Sequence, residues 1–184
     1  MKKKLLMLLL IAITTVCLVL GISACSDGTL GLEYVLSSDS TYYMVMGIGS
    51  AQGTDITIPS KIKGKPVKEI RYRAFEGCNF TSITIPDSIT SIGSYAFYGC
   101  DLLKSISISN NVTSIGENAF EVCSSLESIV IGNGVTSIGE WILNDCDSLK
   151  AVYYTGSENQ WNKIDIGDNN SYLTNINIIF NYNN

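Results

Sequence analysis

A 23-residue period constrains this chain more than any other feature. Ile83-Thr84-Ile85-Pro86, Ile89-Thr90-Ser91-Ile92-Gly93, Ala96-Phe97 and Cys100 are followed by Ile106-Ser107-Ile108, Val112-Thr113-Ser114-Ile115-Gly116, Ala119-Phe120 and Cys123. A third copy runs Ile129-Val130-Ile131, Val135-Thr136-Ser137-Ile138-Gly139, Ile142-Leu143 and Cys146. The step is 23 residues from Phe97 to Phe120 and again from Cys123 to Cys146. An earlier, looser copy has Ile56-Thr57-Ile58-Pro59, Val67, Ile70, Ala74-Phe75 and Cys78, with 22 residues from that cysteine to the next.

One copy cannot bury its apolar face alone, so copies must stack. Ile-x-Ile puts two side chains on one face of an extended segment and turns the residue between them outward. Proline can end that strand because it donates no hydrogen bond. Val-Thr-Ser-Ile-Gly reads as a second short β stretch, closed by a glycine suited to a tight turn. Ala-Phe followed by Cys fits a brief helical or 3₁₀ turn that packs inward. The expectation is a right-handed or arc-shaped β-rich solenoid of about four coils. Strands of successive coils should pair in parallel about 4.8 Å apart.

The N-terminus sets the compartment. Lys2, Lys3 and Lys4 precede an almost unbroken apolar run over residues 5–20, then Gly21-Ile22-Ser23-Ala24-Cys25. A charged head, an apolar stretch and small residues before a cut site describe a secretory signal. The run is too short for a comfortable membrane span of about 20 residues. Ile22-Ser23-Ala24-Cys25 resembles a bacterial lipobox. The resemblance implies that Cys25 becomes the first mature residue and carries a diacylglyceryl thioether, usually with a third chain on its amine. Two or more acyl chains hold a protein stably on a membrane. The alternative is a plain cleaved signal with a chance cysteine.

The chain then divides into a lipoprotein signal peptide (1–24), a tether and N-terminal β-hairpin cap (25–53), the repeats (54–152) and a C-terminal cap (153–184). Residues 32–36 and 42–46 read as hairpin strands around a five-residue polar loop. Ser157 and Gln160 form an S-x-x-Q capping box, which would start a short helix placing Trp161 and Ile164 over the last coil. Residues 176–180 would add a closing strand.

Composition excludes several activities. The chain has no histidine, which removes Ser-His and Cys-His nucleophile pairs and most catalytic zinc sites. Carboxylate-pair chemistry stays open. Asp and Glu number 17 against 12 Lys and Arg, three of which lie in the signal. An acidic surface repels phosphate backbones, so nucleic acid is not a partner.

The Ile-x-Ile-Pro, Val-Thr-Ser-Ile-Gly and Ala-Phe-x-x-Cys blocks together resemble the BspA-like, or Treponema pallidum-type, leucine-rich repeat family. The likeness covers about residues 54–152, and the flanks look like the family's caps. It implies a leucine-rich-repeat-type solenoid, no cofactor, and adhesin-like binding of a protein or glycan at the cell surface. The first copy departs with Lys68-Glu69-Ile70-Arg71 in place of Thr-Ser-Ile-Gly. The last departs with Trp141-Ile142-Leu143 in place of x-Ala-Phe. Terminal repeats face a cap and not another repeat, so such departures belong there.

Several side-chain arrays are candidate sites. Ser82 and Thr84, Ser105 and Ser107, Ser128 and Val130, and Ala151 and Tyr153 should line the outward face of the Ile-x-Ile sheet, either as a ligand surface or merely as a soluble one. Tyr95, Tyr98, Trp141 and Tyr153 are better anchors, since aromatics carry more binding energy than serines. Lys61, Lys63, Lys65, Lys68, Arg71 and Arg73 form a basic patch near the lipid end. It could meet anionic headgroups or wall polymers, or be a solvated loop. Cys78, Cys100, Cys123 and Cys146 share one column. They read as buried free thiols, with bridges not excluded by distance and no C-x-x-C metal spacing. Asp145 with Asp147, or Asp165 with Asp168, are weak calcium candidates outside any EF-hand loop.

Three functions compete. The first is a lipid-anchored, outward-facing monomeric module that binds a protein or glycan. The second is a structural protein of envelope assembly. The third, least supported, is a carboxylate-pair hydrolase using acids such as Glu117, Glu127 and Glu140.

Overall fold

A computed structural model describes residues 28–183; Cys25 and the signal lie outside the described residues. The period becomes a coil of about six turns, more than the four read from the repeats. The difference comes from the ends, which continue the ladders of the repeats. At the start, β1 (Glu33–Leu36) and β2 (Tyr43–Gly47) form the expected antiparallel hairpin, and β2 pairs in parallel with β5 (Lys65–Ile70). At the far end, β13 (Asp165–Ile166) pairs in parallel with β11 (Ser137–Ile138).

Each block of the repeat makes one side of the coil. The Ile-x-Ile blocks form β3 (Asp55–Thr57), β6 (Ser82–Thr84), β8 (Ser105–Ser107), β10 (Ser128–Ile131) and β12 (Ala151–Tyr154), and β14 (Ile178–Ile179) closes the row. They make a two-stranded sheet, β3-β6, beside a four-stranded one, β8-β10-β12-β14, parallel throughout. Ile83, Ile106 and Ile129 fall in the buried core.

The Val-Thr-Ser-Ile-Gly blocks form β7 (Ser91–Ile92), β9 (Ser114–Ile115) and β11, stacked between β5 and β13. Each threonine hydroxyl donates to a carbonyl of the preceding coil: Thr90 to Lys68, Thr113 to Thr90 and Thr136 to Thr113, at 3.1–3.2 Å. The glycine stands at the mouth of a tight turn, where Gly93 accepts the Ala96 N–H, but the turn is not what demands glycine. Gly93, Gly116 and Gly139 have ordinary φ, but a Cβ on each would run into backbone of the previous coil. At Gly93 it would stand 2.7 Å from the Tyr72 nitrogen; at Gly116 and Gly139 it would press closer still on Ser94 and Glu117. Close approach, not a left-handed conformation, demands glycine there.

The Ala-Phe-x-x-Cys segment is a run of tight turns, not a helix. Its N–H groups alternate in direction. Those of Tyr95, Phe97 and Gly99 donate to Glu117, Ala119 and Glu121 of the next coil at 2.8–2.9 Å. Those of Ala96, Tyr98 and Cys100 donate three residues back within their own coil at 3.2–3.3 Å. This alternation needs left-handed residues, and they recur in two columns: Arg73, Tyr95, Asn118 and Trp141, then Gly77, Gly99, Val122 and Asp145. An α-helix would point every N–H along its own axis and leave neighbouring coils unjoined.

The aromatic column holds the coils face to face. Phe75, Phe97 and Phe120 stack with ring centroids 5.3 and 5.2 Å apart. Burying each such ring contributes about 1.5–3 kcal/mol. The core is one cluster running from Leu32 to Leu173. At the C-terminal end, α1 (Glu158–Trp161) opens with the expected capping box: Gln160 Oε1 accepts the Ser157 N–H at 2.9 Å. Trp161 packs edge-on against Tyr154, and Ile164 packs against the core. Before α2 (Ser171–Asn175), Asn170 finishes the last coil. Its Oδ1 accepts the Ile142 N–H at 3.1 Å, and its Nδ2 donates to Gly139 and Gly167 carbonyls at 2.8 Å. Among the described residues no helix is long and apolar enough to cross a membrane.

Candidate functional site

The outward face of the Ile-x-Ile sheets is a shallow, hydroxyl-lined surface. Ser82, Thr84, Ser105 and Ser107 are exposed, whereas Ser128, Val130 and Tyr153 are half-buried. Ala151 departs from the outward pattern and is buried. Two adjoining grooves of about 410 and 400 Å³ cross from β6 over β8 and β10. Tyr153 ends this run with its ring 4.6 Å from that of Tyr182, a residue the sequence does not single out. Beside them Asn110 Oδ1 accepts from the Thr155 hydroxyl at 2.6 Å and from the Asn133 N–H at 3.0 Å.

A second cluster sits on the turn side. Tyr95 and Tyr98 are brought together, centroids 5.6 Å apart, and Tyr72 joins them 5.8 Å from Tyr95. The Arg73 guanidinium lies 5.1 Å from both the Tyr72 and Tyr95 rings and 3.4 Å from Glu76. Tyr72 is 57% exposed. Burial raises the Tyr95 phenol above its usual range, and the Glu117 and Glu121 carboxylates push it further. The period places Tyr95 on this column, but Tyr72 precedes the first Ala-Phe pair in the irregular copy, and no spacing marks it. Trp141 occupies the same left-handed column two coils on, 37% exposed, with buried Asn118 between. It does not join the tyrosines, and neither does Tyr153.

The six basic residues split. Lys61, Lys63, Lys65 and Lys68 lie on the hairpin of β4 (Lys61–Ile62) and β5. Arg71 and Arg73 lie on the following turn, paired with Glu69 at 3.5 Å and Glu76 at 3.4 Å. Among the described residues the four cysteines are free thiols, with Cys78 half-buried and the other three buried. Cys100, Cys123 and Cys146 donate to the carbonyls of Phe75, Phe97 and Phe120, each at 3.1 Å. Parallel side chains thus satisfy themselves on the coil below. Burial pushes the Cys146 thiol up to about 12, and the neighbouring Cys100 thiol together with burial raises Cys123.

Several of the acids have polar partners. Glu127 lies 2.5 Å from Lys150 Nζ, which holds its carboxyl below the usual range. Glu121 accepts from Asn118 and Asn144. Among the described residues no group of three or more Cys, Asp or Glu could hold a metal ion.

The BspA type leucine rich repeat region matches residues 50–163 in 6 copies. Solved structures that share the fold include a leucine-rich repeat protein from Bacteroides capillosus, 29% identical at a TM-score of 0.63, covering 70% of this chain and 98% of that one. A leucine rich cell surface protein from Faecalibacterium prausnitzii is 30% identical at a TM-score of 0.52, over 73% of this chain and 40% of that one. The leucine rich repeat protein of T. pallidum has a TM-score of 0.55 over 75% of this chain and 79% of that one; at 24% identity it speaks for the fold alone. No curated protein matches by sequence.

Proposed function

The chain belongs to the BspA-type leucine-rich repeat family, and from that premise we propose that it is exported, held on the outer side of a membrane by acyl chains on Cys25, and binds a protein partner without catalysing a reaction. The observation that carries this reading is the surface cluster in which exposed Tyr72 and Arg73 pack on half-buried Tyr95, with half-buried Tyr98 beside it. Tyrosine and arginine are the residues that most often anchor protein interfaces. Here they are presented by turns whose backbone is locked between coils, so little backbone freedom is lost on binding. Many copies on one cell surface would sum weak contacts. The Faecalibacterium prausnitzii protein of like fold is a cell surface protein, which supports the outward placement.

The test is a binding screen of the 26–184 fragment against purified extracellular-matrix proteins and against the cell's own envelope proteins. A matrix ligand supports an adhesive role; an envelope ligand supports assembly. Changing Tyr72 and Tyr95 to alanine should remove binding while the melting temperature holds. Full binding by that variant would refute the assignment of this cluster.

A glycan ligand is the second reading. It is favoured by the Tyr153–Tyr182 pair at the end of the hydroxyl-lined groove, because sugar rings stack on aromatic faces. A glycan array probed with wild type and with the Tyr153→Ala/Tyr182→Ala variant separates it from the first. Turnover in a carbohydrate-hydrolysis assay would overturn the non-catalytic reading.

A further inference from the structure

We propose that the β4–β5 hairpin is a docking surface for an anionic lipid bilayer and sets the tilt of the solenoid on the membrane that holds it. This rests on the reading that Cys25 is the anchor. The hairpin is an insertion in the first coil. Ile85 and Ile92, Ile108 and Ile115, and Ile131 and Ile138 are each seven residues apart, but Ile58 and Ile70 are twelve apart. The additional residues turn back through Lys63 (φ 50) and Gly64 (φ 79), the two left-handed positions of a tight hairpin.

The insertion carries Lys61, Lys63 and Lys65, and Lys68 follows on β5. Lys61, Lys63 and Lys68 are exposed, Lys65 reaches the Ser40 carbonyl, and Lys68 lies over the Tyr42 ring. Two acids beside Tyr42 have partners of their own. Glu69 takes Arg71 and the Tyr42 hydroxyl, and Asp39 takes the Ser37 and Thr41 hydroxyls. A basic projection thus stands on a chain with 17 acidic and 12 basic residues.

Its position selects the partner. Thr29 exchanges hydrogen bonds with Thr57 at 2.8 and 2.7 Å. Gly28 lies so close to Pro59 that a Cβ on it would sit 2.8 Å from the proline ring. Pro59 precedes Lys61 by two residues, so the chain enters the fold at the base of the hairpin. From Cys25 to Gly28 is three residues, at most about 11 Å of chain. A bilayer that holds Cys25 is within the hairpin's reach, whereas wall polymer can lie anywhere around the protein. Lysines at an anionic surface add to the hold of acyl chains, and salt screens them.

The test uses the unacylated 26–184 fragment, whose core closes between Leu32 and Leu173. It is sedimented with phosphatidylcholine vesicles and with vesicles containing about one-third phosphatidylglycerol. Binding should appear with the anionic vesicles alone and fall with added salt. Lys61→Gln/Lys63→Gln/Lys65→Gln/Lys68→Gln should weaken it by about tenfold or more. Lys61→Gln/Lys63→Gln, at two exposed sites, should weaken it less, and Lys104→Gln/Lys150→Gln/Lys163→Gln should leave it unchanged. Equal binding by the quadruple variant, no binding to anionic vesicles, or capture by soluble polyglycerol phosphate in place of vesicles would each overturn the proposal. Anchoring is read separately, from labelled fatty acid on the full chain in cells. Its absence would sink the Cys25 reading and leave the vesicle result standing.

Discussion

The middle coils and the two ends of this solenoid obey different rules. Between Ile83 and Cys146 every coil meets a near copy of itself, and most core side chains recur at the same depth, with Leu143 standing where Phe120 does one coil back. Phe97 and Phe120 lie almost parallel, 6° apart, and each buried cysteine finds the same carbonyl one coil back. At the ends the neighbour changes and so does the packing. Phe80 meets Phe75 at 87°, and Tyr154 meets Trp161 at 73°. The contrast teaches that repetition specifies the interior, while each cap must be specified by residues used once.

The sharpest way to break the middle is Phe97→Ala, which should cost about 3–5 kcal/mol in denaturant unfolding because the ring is buried between two others. A negligible loss would show that the column does not carry the core. Next in size is Gly116→Ala, expected to cost about 1–3 kcal/mol because the new methyl meets backbone. Gly167→Ala, at the end of the same column, should cost less. Its Cβ would stand 2.9 Å from the nearest atom, whereas the one at Gly116 would press harder on the Ser94 backbone. Equal costs would erase the distinction between interior and end. Asn170→Ala should cost about 1–2 kcal/mol. Amide exchange should quicken around Gly139 and Ile142 and stay unchanged in the first coil.

The smallest effect concerns the thiols. The Cys146 pKa rises from 9.0 to about 12 on folding, so the native state holds a proton that the unfolded chain releases between those values. Its stabilisation is present below pH 9 and is lost as pH climbs toward 12. Near neutral pH a thiol reagent should modify half-buried Cys78 first and reach Cys123 and Cys146 only at the rate of unfolding. Early labelling of Cys123 would contradict a closed interior.

Most of the interior is legible in the chain because identical neighbours impose identical residues. The isoleucine, phenylalanine and cysteine columns and the capping box all lie where the spacing puts them. The role of the motif glycine is not legible, since only the distance between coils reveals it. The turn segment reads as a brief helical or 3₁₀ turn, and half of its N–H groups do bond three residues back; that the other half reach across to the next coil depends on a partner the spacing does not show. The site is less legible than the fold. The period locates Tyr95 but cannot show that Tyr72 and Arg73 come across from the preceding coil, or that Tyr182 returns to Tyr153. Such pairings arise where the repeat breaks.

All of this depends on segments 23 residues apart lying directly over one another. The direct measurement is a set of proton–proton NOEs on the 26–184 fragment between Ile92, Ile115 and Ile138 methyls and between the Phe97 and Phe120 rings. Cross-peaks linking each residue to its counterpart one period away are expected, with ring centroids 5.2 Å apart at Phe97 and Phe120. Cross-peaks displaced by one or more residues, or none between counterparts, would contradict the stacked coil and every site placed on it.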